Sequence, residues 1–245
     1  MKIKILQWNV WFKENPRNTV RQIQQLKPDV VCLQELIKYL PQNIDTAKFI
    51  TKHLKYNLFY QSAETWDKKE NVEAQGNAIL SSCPIARKFY SYVQQPKHNP
   101  PDASHEGRVY LEIDIKKGSK VITIATTHLS YSPRLVINNQ RKNEVDNLIN
   151  IIKKNKRNFV LAADLNSTPD SYTVKNILKY LNNAGPDFSQ NTWTTKPFEK
   201  PGFKEDKVNW RPDYIFVSQD IKVINARIIK TKFSDHLPIL VEIEI

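Results

Sequence analysis

Short apolar runs with the pattern of β-strands recur along the whole chain, and they restrict the fold more than any other feature. Many of these runs alternate apolar with polar residues or are rich in Val, Ile, Phe and Tyr, as half-buried or buried strands are. Sheets should therefore dominate the structure. The predicted strands cover residues 2–10, 29–34, 56–61, 77–82, 85–92, 108–115, 120–127, 158–163, 214–218, 221–229 and 238–245.

Helical signals are fewer and lie between the strands. Asn15-Pro16 places an N-cap residue before a proline at the first helical position, and Val20 and Ile23 then mark one apolar face. Because helices interleave with strands, the pattern predicts a layered α+β or α/β domain with sheets inside and helices outside. The other predicted helices cover residues 44–54, 135–154 and 172–181.

Length and composition favour one domain in a reducing compartment. No repeat, low-complexity tract or linker divides the 245 residues, so we expect a single domain over residues 1–245. No apolar stretch approaches the ~20 residues of a membrane helix, and a strand pattern directly after Met1 leaves no room for a secretory leader. Cys32 and Cys83 do not form a disulfide framework. We therefore expect a monomeric cytoplasmic protein.

The charge of the chain favours an anionic partner. A net charge of +12 and a pI of about 9.5 are typical of proteins that bind polyanions, with nucleic acid first among them. The lysines that cause the excess are spread along the whole chain, so a solvated lysine-rich surface is the alternative interpretation. Two proline-containing loops, at 94–107 and 192–209, are long enough for a functional role that the sequence does not define.

Acidic residues stand at the ends or starts of several predicted strands. Glu35 ends the run Val30–Gln34, and Asp164 follows the run Phe159–Ala163. Asp213 and Asp235 repeat this placement, and an acid beside an apolar run is costly unless it is exposed or paired with a cation. A lone example would be an exposed strand end, but the repetition favours one shared site. Oxygen ligands of this kind select Mg²⁺, with Mn²⁺ as the second choice.

Imidazole and amide groups accompany these acids. His128 follows the strand predicted at 120–127, and His236 directly follows Asp235, so both could donate hydrogen bonds to a phosphoryl oxygen. Asn9 and Asn166 could orient a water molecule or a phosphate oxygen, because an amide both donates and accepts. Taken singly, each histidine could be structural and each asparagine could be a turn residue.

Together these short blocks resemble the ordered motifs of the endonuclease/exonuclease/phosphatase superfamily. The resemblance spans nearly the whole chain in the right order, and it implies a four-layer sandwich of two packed mixed β-sheets flanked by helices. The motifs are Trp8-Asn9, Leu33-Gln34-Glu35, Gly76-Asn77-Ala78-Ile79-Leu80, Thr127-His128-Leu129, Ala163-Asp164-Leu165-Asn166, Arg211-Pro212-Asp213-Tyr214-Ile215-Phe216 and Ser234-Asp235-His236-Leu237-Pro238.

The resemblance implies a metal site and an activated water. Glu35 would be the main ligand of Mg²⁺ or Mn²⁺, assisted by Asn9, and Asp235 would be a further metal carboxylate. Asp164 would orient or deprotonate the attacking water, and Asn166 would hold that water or a phosphate oxygen. The implied chemistry is an in-line attack of water on a phosphate ester.

The resemblance also implies how the phosphate is held. His236 would contact it, with Asp213 as the partner of that imidazole, and His128 would stabilise the charge that develops on the phosphoryl oxygens. We further predict that the substrate contacts Asn77, Arg211, Trp193 and Trp210. The tryptophans would be base-stacking platforms if they lie near the cleft, and core residues otherwise.

The superfamily does not define the substrate. Abasic-site endonucleases carry a tyrosine where this chain has His128, which argues against that activity. The basic charge favours a Mg²⁺-dependent nuclease that hydrolyses phosphodiester bonds of DNA or RNA. The alternative is a phosphoesterase that acts on a phospholipid, a phosphoinositide or a small phosphorylated metabolite. A third hypothesis is a binding module without activity, which the full set of acids, amides and imidazoles disfavours.

Overall fold

Two β-sheets packed face to face form the centre of the protein. The computed structural model describes residues 1–39, 43–68, 71–102, 105–154 and 157–245. The strands are β1 (Lys2–Asn9), β2 (Val30–Tyr39), β3 (Ile44–Asp45), β4 (Asn57–Lys68), β5 (Asn71–Ser81), β6 (Ile85–Gln94), β7 (Arg108–Lys117), β8 (Lys120–His128), β9 (Phe159–Asp164), β10 (Asn182–Asn183), β11 (Phe198–Lys200), β12 (Phe203–Glu205), β13 (Asp213–Val217), β14 (Lys222–Ile228) and β15 (Ile239–Glu244). The helices are α1 (Pro16–Leu26), α2 (Thr46–Leu54), α3 (Asn139–Ile152) and α4 (Tyr172–Ile177).

Both large sheets are mixed. The first sheet has the strand order β14-β15-β1-β2-β5-β4, and β3 pairs with β2. The second has the order β10-β13-β9-β8-β7-β6, and β11 and β12 form a separate two-stranded hairpin. The parallel pairs β1–β2 and β8–β9 are joined through helices, while the other pairs are antiparallel. This mixture confirms the α+β class.

Three layers of apolar side chains hold the architecture together. Along β1, Ile3 and Ile5 point between the sheets, while Leu6 and Trp8 point to the other face, as the two-residue period of a strand requires. The core between the sheets includes Ile113 of β7. The outer cores lie against the helix pairs, one with α1 and α2 and the other with α3 and α4. The four-layer sandwich is therefore confirmed.

The capping signals in the sequence place the helices correctly. Asn15 caps α1 by accepting from the N–H of Arg17, and Pro16 occupies the first turn. Ser171 caps α4 in the same way. The third helix begins at Asn139 rather than at residue 135, because Leu135 belongs to a short 3-10 turn. None of the helices in the described ranges combines the length and apolar character that crossing a bilayer requires.

Strand register gathers the polar blocks at one edge of the sandwich. Asn9 at the end of β1 pairs with Gln34 in β2, and His128 at the end of β8 pairs with Asp164 at the end of β9. Asp213 begins β13 directly opposite Asp164. Because the carboxyl ends of parallel strands meet at the same edge, distant sequence segments converge there.

The strand that carries Glu35 differs from the prediction. It does not end at residue 34 but continues to Tyr39, with a register shift between Leu33 and Leu36. Glu35 lies within this bulge and has a φ of 60°, in the left-handed region. A bulge next to a site is a common way to redirect a side chain, and the sequence run alone did not predict it.

Two other predicted regions are more ordered than expected. The hairpin of β4 and β5 is longer than the strands predicted at 56–61 and 77–82. The loop predicted at 192–209 contains the β11–β12 hairpin. Within the loop predicted at 94–107, residues 103 and 104 lie outside the described residues.

Candidate active site

The gathered polar groups line one cleft with a volume of about 420 Å³. The cleft lies at the strand ends described above, and its floor combines carboxylates, imidazoles and an amide. The residues predicted from sequence that line it are Glu35, His128, Asp164, Asn166, Trp193, Asp235 and His236.

A buried histidine–carboxylate pair stands at the base of this cleft. The Nδ1 atom of His236 lies 2.9 Å from Oδ2 of Asp213, and both side chains are almost fully buried. Asp213 also accepts a hydrogen bond from Thr192 Oγ1 at 2.6 Å and from Gln7 Nε2 at 3.0 Å. These donors fix the carboxylate, which in turn fixes the imidazole with Nε2 directed away from Asp213.

The charge state of His236 follows from its acidic surroundings. Burial acts to lower its pKa, but the carboxylates of Asp213, Asp235 and Asp164 outweigh burial and raise the pKa well above its ordinary value. His236 is therefore a cation at neutral pH. A cationic imidazole held at the floor of a cleft can donate a hydrogen bond to an anionic ligand.

Asp164 is completely buried, and its neighbours determine its orientation. Its Oδ2 accepts from Asn9 Nδ2 at 2.9 Å, and its Oδ1 accepts from the backbone N–H of Asn166 at 2.9 Å. Burial and the nearby Asp213 raise the pKa of Asp164 to about 7. A carboxyl group with this pKa can gain or lose a proton near neutral pH, as a general base must.

Asn166 and His128 complete the floor. Asn166 adopts a left-handed φ of 46°, and its Nδ2 lies 3.0 Å from both the Leu129 carbonyl oxygen and His128 Nε2. Burial, together with the charges of Arg108 and His236, lowers the pKa of His128 well below its ordinary value. His128 is therefore neutral, in contrast to His236, and its Nε2 accepts from the amide while Nδ1 carries the proton.

Glu35 and Asp235 form the acidic side of the cleft. Glu35 accepts hydrogen bonds from Asn9 Nδ2 at 2.9 Å and from the N–H of Phe12 at 3.3 Å. Burial and the charge of Asp235 raise the pKa of Glu35. Within the described ranges, neither carboxylate forms an ion pair with a lysine, arginine or histidine side chain.

These two acids fit a hard divalent cation. Neighbouring carboxylates without a cationic partner repel each other, and Mg²⁺ or Mn²⁺ would remove that repulsion through oxygen ligands. A tighter cluster of Asp164, Asp213 and His236 has its ligand atoms within 4.8 Å of one another. It fits a cation less well, because Asp213 and His236 already occupy each other through their hydrogen bond.

Asn9, predicted to assist Glu35 in holding the metal ion, contacts two acids of the cleft. Its Nδ2 donates to both Glu35 and Asp164, and its Oδ1 accepts the N–H of Trp11 at 3.1 Å. The amide therefore presents a donor, not an oxygen, to the acids. Asn9 holds the two carboxylates at a defined separation, and a cation ligand is supplied by the acids themselves.

Arg211, predicted to contact substrate, lies outside the cleft. It is 1% exposed, because its guanidinium is enclosed by the chain segments around it. All of its recorded hydrogen bonds go to backbone carbonyl oxygens, which makes it a structural clamp for the segment before β13. The acceptors are the carbonyls of Pro186, Asp187, Gln190 and Asp213.

The predicted stacking platforms are also engaged in packing. Trp210 lies outside the cleft, donates from Nε1 to Glu205 at 2.8 Å, and packs edge-on against Phe203. Trp193 lines the cleft but is only 5% exposed, with its Nε1 3.1 Å from Asp235 Oδ2. Trp193 is therefore an enclosed wall residue of the cleft, whereas Trp210 is half-buried and lines a neighbouring cavity.

Asn77, also predicted to bind substrate, lies beside the site but is not free. It is 2% exposed, and its Nδ2 donates to the carbonyl of Val109 at 2.9 Å. It borders a small cavity shared with Glu35 and His128. Its side chain therefore ties β5 to β7 under the cleft.

Two buried arginines near the site were missed from the sequence. Arg108 lines the cleft at the start of β7, beside His128, and its Nε donates to Ser130 Oγ at 3.2 Å. Arg141 on α3 donates from Nη1 to the carbonyls of Leu165 and Asn166, each at 2.8 Å, and so holds the turn after β9. Two features of the sequence could have identified them. Arg108 stands at the start of an apolar run, and Arg141 lies on the inner face of a helix.

The fold and the cleft define a class of α+β enzymes that act on phosphate esters with acids, amides and imidazoles at strand ends. A family model described as the endonuclease/exonuclease/phosphatase family matches residues 6–236, and the chain belongs to this family. It is therefore a phosphoric-ester hydrolase, in a family that generally depends on a divalent metal ion. No curated protein sequence matches the chain.

Solved structures show the same fold at low identity. A family protein from Leptotrichia buccalis C-1013-b is 22% identical, with a TM-score of 0.75, and the match covers 99% of this chain and 100% of that one. The human Nocturnin catalytic domain with bound sulfate is 18% identical, with a TM-score of 0.71 and coverage of 99% and 93%. A mannosyl-6-phosphatase from Bacteroides thetaiotaomicron VPI-5482 is 14% identical, with a TM-score of 0.71 and coverage of 99% and 100%.

Proposed function

We propose that the protein is a Mg²⁺-dependent phosphodiesterase, and specifically a nuclease that hydrolyses DNA or RNA by in-line attack of an activated water. The observation that carries the proposal is the composition of the cleft floor. It brings together two acids that form no ion pair with a lysine or arginine of the described residues, Glu35 and Asp235, a buried carboxyl group with a pKa of about 7, and a cationic imidazole. These are the groups that hydrolysis of a phosphate ester requires.

The side chains of the cleft would have separate roles in the reaction. Glu35 and Asp235 would hold the ion, which supplies positive charge that offsets the charge developing on the phosphoryl oxygens. Asp164 would take the proton of the attacking water, because its pKa of about 7 suits a general base at neutral pH. Asn166, 2.9 Å from Asp164 through its backbone N–H, would orient that water.

The imidazoles would act on the phosphate. His236 would donate from Nε2 to a phosphoryl oxygen while Asp213 holds Nδ1. Neutral His128 would act as a second, weaker polar contact. Removing one such charge-stabilising donor costs about 10²–10³ in rate in other enzymes.

Nucleic acid is the preferred substrate because the surroundings of the cleft are basic. Lys13, Lys196 and Lys200 line its walls, alongside Glu106 and Glu199, and the chain carries a net charge of +12. Cationic walls attract a polyanion and hold the phosphates that flank the scissile bond. The alternative is a phosphoesterase for a phospholipid, a phosphoinositide or a small phosphorylated metabolite, which the same catalytic groups would serve.

An activity panel tests the proposal. Purified protein is assayed with Mg²⁺, with Mn²⁺ and with EDTA on plasmid DNA, single-stranded DNA and RNA, nucleotides, phospholipid vesicles and sugar phosphates. We expect metal-dependent cleavage of nucleic acid that falls about 10²–10³-fold in His236→Ala. His53→Ala, which removes an exposed imidazole on α2, is the matched control and should retain full activity.

The outcomes separate the hypotheses. Cleavage of phospholipid or sugar phosphate with intact nucleic acid would select the alternative. Inert nucleic acid at low salt, with every metal tested, would contradict the nuclease proposal. The monomeric state, the cytoplasmic location and the single domain over residues 1–245 stay predictions from the sequence.

A further inference from the structure

One wall of the cleft carries two aromatic rings that the chemistry above does not use, next to one of the wall lysines. Tyr131 lies between β8 and α3, and Phe198 and Lys200 lie on β11. The ring centroids of Tyr131 and Phe198 are 5.5 Å apart. Lys200 Nζ lies 4.7 Å from the centroid of Tyr131 and 5.8 Å from that of Phe198. All three residues line the same cavity as Glu35 and Asp164.

The hydroxyl group of Tyr131 has no hydrogen-bond acceptor among the described residues. It is nevertheless buried. Burial raises the pKa of Tyr131 to about 12, so the hydroxyl keeps its proton and remains a donor at neutral pH. A buried donor without an acceptor is costly, and the polar edge of a bound ring would supply one.

We propose that Tyr131, Phe198 and Lys200 form a subsite for an unpaired nucleobase and the phosphate next to it, beside the scissile bond. The inference rests on the proposed phosphodiesterase function and narrows its substrate to single-stranded nucleic acid. The rings supply a stacking surface, the tyrosine hydroxyl a hydrogen-bond donor for the base edge, and the lysine a charge for the phosphate.

The strengths of the two contacts favour a nucleobase over the Lys200 ammonium group on the faces of the Tyr131 and Phe198 rings. An exposed cation–π contact contributes about 2- to 5-fold in an equilibrium constant, whereas stacking of one base on an aromatic ring contributes about 5- to 150-fold. Lys200 is exposed, so a base displaces its ammonium group from the rings at little cost. The ammonium group then lies beside the base, where the adjoining phosphate is.

The stacking contact sets the pairing state, because a base inside a duplex has both faces covered by its neighbours. The cleft volume of about 420 Å³ is in the range of a pocket for one small ligand. A base can reach the rings only when it is not paired. The subsite therefore takes over the role that the sequence assigned to Trp193, whose ring is enclosed, and to Trp210, which lies outside the cleft.

Steady-state cleavage of matched substrates tests the subsite. The substrates are a single-stranded oligodeoxyadenylate, the same strand with an abasic analogue beside the scissile bond, and the blunt duplex. We expect Tyr131→Leu to lower kcat/KM on the single strand by about 5- to 150-fold and to have no further effect on the abasic strand. Tyr180→Leu, which removes an exposed tyrosine outside the cleft, is the control.

A salt titration tests the lysine. Lys200→Ala should reduce the slope of log(kcat/KM) against log[salt] on the single strand by about 0.7, the value for one phosphate contact. Lys222→Ala removes the same charge from an exposed position on β14, outside the cleft, and should leave the slope unchanged. If Tyr131→Leu does not fold, Phe198→Leu replaces it.

The results separate this inference from the proposed function. Wild-type enzyme that cleaves the single strand with Mg²⁺, while the subsite variants match their controls, would overturn the subsite alone. Equal loss on the intact and abasic strands, or equal cleavage of duplex and single strand by wild-type enzyme, would also overturn it. A wild-type enzyme that cleaves no nucleic acid would overturn both.

Discussion

Two glutamates in the same sheet show how differently a buried carboxylate can be used. Glu35 and Glu64 each lie at a register shift, in β2 and β4 respectively. Glu64 is 2% exposed and accepts backbone N–H groups at 2.9–3.0 Å from residues 65, 97, 98 and 107. Glu35 accepts only one backbone N–H and one amide.

The pKa values of the two acids move in opposite directions. Burial acts to raise both, but the backbone donors around Glu64 outweigh it and lower that pKa. Around Glu35, burial and Asp235 prevail and raise the pKa. A carboxylate that the fold itself satisfies stabilises structure, whereas one that the fold leaves unsatisfied is available for a cation. Glu64 thus anchors the backbone at residues 97, 98 and 107, whereas Glu35 remains available in the cleft.

The largest effect expected from this contrast is on turnover. Glu35→Gln should lower metal-dependent kcat/KM by about 10²–10³, because the amide offers one oxygen and no charge to the ion. In the absence of metal the same variant should be at least as stable as wild type, since its repulsion with Asp235 is removed. Assays with Mg²⁺ and thermal melts in EDTA measure the two effects, and an unchanged rate would exclude Glu35 as the metal anchor.

Metal binding should also stabilise only the protein that keeps Glu35. At a Mg²⁺ concentration about 100 times the Kd, wild-type enzyme should gain about 2.7 kcal/mol of unfolding free energy. Glu35→Gln should gain much less at the same concentration, and Glu64→Gln should gain as much as wild type. Thermal melts with and without Mg²⁺ check this prediction, and equal shifts for all three proteins would place the ion elsewhere.

Removing the charge of Glu64 should lower the stability of the fold but leave turnover nearly unchanged. In Glu64→Gln the amide nitrogen faces backbone donors, so unfolding should become easier by about 1–3 kcal/mol. Turnover of the folded variant at low temperature should remain close to that of wild type. Urea unfolding and an assay below the melting transition provide the measurements. A loss of rate without a loss of stability would reverse the roles assigned to the two glutamates.

The smallest expected effect is the pH dependence of the difference in unfolding free energy between wild type and Glu64→Gln. The pKa of Glu64 in the folded protein lies below its ordinary value of 4.5. Its contribution is therefore fully present above pH 4.5 and is lost as the pH falls through the folded pKa. The gap in unfolding free energy between wild type and Glu64→Gln should narrow below pH 4.5. A gap that widens on acidification would contradict the lowered pKa.

The same contrast explains how much could be read from the sequence. The strand ends were predictable, because an apolar run that stops at Asp164 or at His128 marks both a strand and its edge. The caps of α1 and α4 were predictable for the same local reason. Local patterns therefore yielded the layers and the carboxylates, imidazoles and amide that form the floor of the cleft.

Long-range contacts were not predictable. Three of the four donors of Glu64 come from more than thirty residues further on. Three of the four carbonyls around Arg211 come from the separate turn at 186–190. The enclosure of both side chains depends on packing that no local pattern encodes. A bulge such as the one at Glu35 likewise depends on the partner strand, whose register defines it.

The pair of His236 and Asp213 joins the two halves of the sandwich. Asp213 begins β13 in one sheet, while His236 precedes β15 and Gln7 lies on β1, both in the other sheet. Each half thus contributes atoms that the reactive imidazole needs. Transfer of only one sheet into a different scaffold would separate Asp213 from His236. The interface between the two sheets would have to be transferred intact to keep the pair together.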